Sequence, residues 1–90
     1  MADTLGQTLK LLREARQLTL KDAAGKLEID LSLLARIEKG QRSVSVLLLA
    51  KLAALFEVPE RQLRTLALAD YVYQQVQQHD CATAALELLV

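Results

Sequence analysis

The chain is poor in the residues that mark most specialised proteins. Its 90 residues include one cysteine, one proline, three glycines, one histidine and three aromatics, with no tryptophan. The lone Cys81 cannot close an internal disulfide, which suits a reducing, cytoplasmic setting. So little glycine and proline excludes a collagen-like chain or a low-complexity linker, and 52% hydrophobic residues excludes a disordered tail. No stretch approaches the ~20 apolar residues of a membrane span. The longest candidate, residues 44–50, falls far short, so no membrane association is expected. Residues 1–4 lack the basic and then apolar pattern of a secretory signal.

Chemistry is equally sparse. His79 and Cys81 stand too nearly alone for a metal centre, which needs three or four ligands, so neither metal nor cofactor is expected. No glycine-rich phosphate loop, paired-carboxylate site or nucleophile beside a base occurs, and an enzyme is not expected. Ninety residues suit one small domain.

What the chain does have is leucine at helical spacing and an uneven distribution of charge. Net charge is zero, which excludes a strongly basic nucleic-acid glue. Residues 1–42 carry eight Lys or Arg against six acids, a net of +2, and residues 43–65 a net of +1. Residues 66–90 carry three acids and no base. A mildly basic front and an acidic back suggest two surfaces with different partners.

Strand-like alternation is absent, and helix signals recur. Thr4 and Gln7 form a capping-box pattern for a first helix running to about Arg16. Thr19, with Asp22 three residues on, opens a second helix with a buried face of Ala23, Ala24 and Leu27. Asp30 is expected to cap a third, through Leu33, Leu34 and Ile37, ending at Gly40. Ser45 caps a fourth, to about Phe56, Pro59 opens a fifth reaching toward Gln78, and Asp80 caps a last one from Cys81 to Leu89. In the fourth, only Lys51 is charged between Val46 and Phe56, so Leu47, Leu48 and Leu55 need cover from the C-terminal helices or from a second subunit.

Between Leu20 and Lys39, two short helices meet at the turn Leu27-Glu28-Ile29, with a small Ala24 where they would cross. That is the spacing of a helix-turn-helix, whose second helix enters the DNA major groove. Residues 5–63 resemble the Cro and phage-repressor type of helix-turn-helix, the XRE family. The resemblance is carried by Leu9 and Arg13, by Thr19-Leu20-Lys21-Asp22-Ala23-Ala24, by Arg36-Ile37-Glu38-Lys39-Gly40, and by Lys51-Leu52-Ala53 with Val58.

The resemblance implies an all-α fold: a five-helix, lambda-repressor-like helix-turn-helix domain with an additional short C-terminal helix. Residues 1–64 would form the DNA-binding domain and 65–90 a helical extension for dimerisation. Leu31, Ser32 and Arg36 fall at the family's base-contact positions. Arg36 suits a guanine edge and Leu31 a thymine methyl. Thr19, Lys39, Gln41, Arg42 and Ser43 fall where the family grips phosphates, and Arg13 with Glu38 matches a structural ion pair. Leu20 stands where the family commonly has Gln, and Glu28 where it commonly has Gly; a positive φ at Glu28 would cost ~1 kcal/mol.

The function implied is a transcription regulator, such as a repressor, binding double-stranded DNA at a palindromic operator as a homodimer. A phage switch, a restriction–modification controller or a toxin–antitoxin pair would each suit it. The alternatives are a helix-turn-helix that binds a partner protein, or an antitoxin whose toxin partner engages the C-terminal helices.

Overall fold

The computed structural model describes residues 4–90. Six helices and no strand occur among them: α1 (Thr4–Ala15), α2 (Leu20–Leu27), α3 (Leu31–Glu38), α4 (Val46–Phe56), α5 (Glu60–Gln77) and α6 (Ala82–Leu89). None is long and apolar enough to cross a membrane. The first five wrap one core containing Leu5, Leu9, Leu27, Leu34, Ile37, Leu52, Phe56 and Leu63. Helix α1 lies across α3 and α5, α2 packs on α3 and α4, and α4 on α5. The half-buried Leu66 and Ala67 pack against the same core. The position between residues 64 and 65 therefore lies inside a continuous α5, with core contacts on both sides of it.

Local capping forms α2 and α4. The Thr19 hydroxyl accepts from the Asp22 amide at 3.0 Å and the Asp22 carboxylate from the Thr19 amide at 3.3 Å, a closed capping box. The Ser45 hydroxyl accepts from the Leu48 amide at 3.2 Å. Helix α1 starts differently from the Thr4–Gln7 expectation. Thr4 is already helical, and the cap is Asp70, from α5. Its Oδ1 accepts from the Thr4 amide at 2.9 Å and the Thr4 hydroxyl at 2.6 Å, while Oδ2 accepts from the Leu5 amide at 3.0 Å. A carboxylate there satisfies orphan amides and meets the positive end of the helix dipole. Asp30 does hold the N-cap position of α3, but its side chain makes no capping bond. Asp80 is displaced too: Cys81 holds the N-cap position of α6.

Four helices close on the same turn. The amide of the residue after the left-handed position reaches back five residues: Leu18 to Arg13, Ile29 to Ala24, Gln41 to Arg36 and Val58 to Ala53, at 2.9–3.2 Å. Such a turn needs one left-handed residue. Gly40, at φ 74°, supplies it after α3, but Gln17, Glu28 and Glu57 hold φ 56–59° after α1, α2 and α4. These side chains carry the strain that glycine avoids. The following Leu18, Ile29 and Val58 pack against the core and hold each turn shut.

The outer side of α4 stays bare. Leu48 and Leu55 pack against the core, but Val46 is 66% and Leu47 80% exposed. Of the two covers open to Leu47, the C-terminal helices or a second subunit, the C-terminal helices of its own chain do not supply one. Replacing Gln17 or Glu28 by glycine is expected to raise unfolding free energy by ~1 kcal/mol each in urea titrations. A loss of stability would show that these turns are not strained.

Candidate nucleic-acid interface

Two contacts fix the orientation of α3, and both fall at its C-terminal end. Gly6 of α1 lies so close that a Cβ would sit 2.5 Å from the Glu38 carbonyl oxygen and 2.6 Å from that of Ile37. One helical stretch further along α1, Arg13 grips the Glu38 side chain, Nε to Oε2 at 2.7 Å and Nη2 to Oε1 at 3.1 Å. Its remaining nitrogen, Nη1, donates to the Leu18 carbonyl at 2.8 Å. Both side chains are buried, and the hydrogen bond to Glu38 raises the Arg13 pKa above its ordinary value despite the desolvation that opposes it. No buried side-chain nitrogen or oxygen among the described residues lacks a partner.

Held this way, α3 turns one flank to the core through Leu34 and Ile37 and the other to solvent. The solvent flank carries Leu31, Ser32, Arg36 and Lys39, all exposed, with half-buried Ala35 between them. Gly40 then turns the chain so that Gln41, Arg42 and Ser43, also exposed, follow from the end of the helix. Thr19 is exposed at the start of α2; its oxygen is occupied by the Asp22 amide, which leaves its hydroxyl hydrogen free to donate. Arg36, Lys39 and Arg42 form no ion pair among the described residues. Leu31, Ser32 and Arg36 thus share the solvent flank of α3, with Lys39 just past its end, Gln41, Arg42 and Ser43 in the loop that follows and Thr19 at the start of α2, whereas Arg13 and Glu38 are buried.

The region is only modestly basic. From 19 to 43 it exposes Lys21, Lys26, Arg36, Lys39 and Arg42 against Asp22, Glu28 and Asp30, Glu38 being neutralised by Arg13. Asp30 holds the N-cap position expected of it, but its carboxylate makes no capping bond and stands bare at the front of α3. No local signal separates an aspartate that caps from one that does not.

Two short helices about a tight turn, the second presenting unpartnered polar side chains, define a helix-turn-helix DNA-binding module. A family model described as a helix-turn-helix domain matches residues 4–66. Among solved structures, the chain is similar to the restriction-modification controller protein C.AhdI from Aeromonas hydrophila. The two share 34% identity over 69% of this chain and 94% of that one, with a TM-score of 0.64. No curated protein matches significantly. The chain belongs to the helix-turn-helix family, as an XRE-type DNA-binding protein of the kind that regulates transcription.

Arg13→Ala should lower unfolding free energy by ~3–5 kcal/mol, because it strands a buried carboxylate. Removing both charges with Arg13→Met and Glu38→Leu should recover much of that loss in the same urea titration. Equal destabilisation by the single and double variants would show that the pair is not what holds α1 to α3.

Proposed function

We propose that this DNA-binding protein is a sequence-specific transcription regulator, working in the cytoplasm as a homodimer on a palindromic operator. The observation that carries the proposal is the solvent flank of α3, where side chains able to read bases stand exposed and unpartnered. Arg36 makes the bidentate contact to a guanine edge, and Ser32 and Leu31 contact neighbouring bases. Thr19, Lys39, Gln41, Arg42 and Ser43 hold the phosphates on either side.

The low charge argues for the dimer. Each subunit neutralises about 3–4 phosphates, too few for tight binding alone, so two subunits engage half-sites one helical turn apart. The dimer face runs along the second half of α5, where Leu68, Tyr71 and Val72 form an exposed stripe at helical spacing. Helix α6 buries no residue within its own chain and adds to that face. Residues 1–64 thus supply the DNA contacts and 65–90 the pairing, although α5 spans both. Among the settings open to such a regulator, control of a restriction–modification operon is supported by the similarity to C.AhdI.

The bare stripe of Val46 and Leu47 on α4 favours one second reading, a protein-interaction module in which a partner covers that face. Salt separates the two: DNA binding falls steeply as salt rises, and apolar protein contact does not.

Two experiments test the proposal. Selection from a random DNA pool should enrich a two-fold symmetric site, and Arg36→Ala should then lose ~1–3 kcal/mol of preference for it while keeping non-specific binding. Unchanged preference would remove Arg36 from the base contacts. In sedimentation, Leu68→Glu with Val72→Glu should yield monomers; a dimer that persists until Leu47→Glu is introduced would move the interface to α4.

A further inference from the structure

Asp30 and Leu31 open α3, and among the described residues the Asp30 carboxylate makes no hydrogen bond and Leu31 does not join the core. Asp30 has the extended backbone of an N-cap, φ −66° and ψ 141°, yet its carboxylate caps nothing. Leu31 is 48% exposed, and the half-buried Ala35 one turn later extends its apolar edge beside Arg36. A bare carboxylate facing DNA is repelled by phosphates. It becomes favourable only against a hydrogen-bond donor on a base edge.

In the major groove, the donors are the cytosine N4 and adenine N6 amino groups, and the apolar feature is a pyrimidine C5-methyl. Adenine sets its N7 acceptor beside the amino group, against the carboxylate, and has no methyl. Thymine has the methyl but presents the O4 acceptor to Asp30. Cytosine has the amino group but leaves Leu31 against a bare C5–H. Positions C4 and C5 are bonded neighbours on one ring, as Asp30 and Leu31 are neighbours on one helix end. The base that satisfies both side chains is 5-methylcytosine.

We propose that Asp30 and Leu31 together read 5-methylcytosine in each half-site, so that cytosine methylation strengthens operator binding. This rests on the reading that α3 enters the major groove. Asp30 accepts from N4 and sets cytosine above thymine; Leu31 covers the methyl and sets the methylated base above the unmethylated one; Arg36 reads a guanine further along the same flank.

The test uses the full chain and the duplex enriched from a random pool. Each half-site pyrimidine is replaced in turn by cytosine, 5-methylcytosine, thymine or uracil, with its partner base adjusted, and affinity is measured at fixed salt. At one position 5-methylcytosine should bind about fourfold more tightly than cytosine, the worth of roughly one buried methyl, and more tightly than thymine. Leu31→Ala should abolish the gain from the methyl, and Asp30→Asn the preference over thymine. Both residues are exposed, so both variants should keep the wild-type unfolding midpoint. Equal affinity for cytosine and 5-methylcytosine at every position overturns the proposal, as does thymine matching 5-methylcytosine at the methyl-sensitive one. A symmetric site that is blind to methylation overturns this inference alone. No enriched site at all overturns the DNA reading of α3 and this inference with it.

Discussion

Glu38 is the point from which the orientation of α3 is set. Its carboxylate is clamped by Arg13, and its carbonyl oxygen is where the bare Cα of Gly6 lets α1 come into contact. Both constraints act on the last residue of α3, so α1 fixes where the recognition helix ends and which flank it turns outward. The pair is costly to bury and rigid once buried, which is a reason to find it at a crossing that must not slide. From the same end, Gly40 turns the chain into the exposed Gln41, Arg42 and Ser43, which lie beside Leu5 and Gly6 of α1 and Asp70 and Tyr71 of α5. One crossing thus fixes both the end of α3 and the loop that leaves it.

A second anchor reaches the same crossing from the far end of the chain. Asp70 of α5 caps the start of α1, which ties the helix that extends beyond the family match to the helix that orients α3. Whatever pairs with the later part of α5 therefore acts on a helix already bonded to the DNA-binding core. The exposed Leu68, Tyr71 and Val72 begin on either side of that cap. Helix α5 reaches α3 by two packed routes, through α1 and through α4 and α2.

How much of this was legible in the sequence depended on range. The capping box at Thr19 and the cap at Ser45 span three residues, and the third helix closing at Gly40 is equally local; such signals survive without knowledge of the fold. The Arg13–Glu38 pair was legible only through resemblance, since nothing local joins residues 25 apart. The Asp70 cap, 66 residues from Thr4, gave no signal, and the plausible Thr4–Gln7 pattern concealed it. Gly6 was visible as a glycine inside a helical pattern, but its reason, the backbone of α3, was not. The turns at Gln17 and Glu57 lacked the usual glycine. Only the apolar Leu18 and Val58 that follow them hinted at the closure, because packing of that next residue, not backbone preference, holds those turns.

The central claim, that the outward flank of α3 is the DNA surface and that α1 sets it, is tested most directly by following the backbone amides in NMR while a selected duplex is added. The account predicts that shifts concentrate at residues 19–22, 30–36 and 39–43, with little change on the outer side of α4 at residues 46, 47 and 50. Shifts confined to α4 or to α6, with α3 silent, would contradict it.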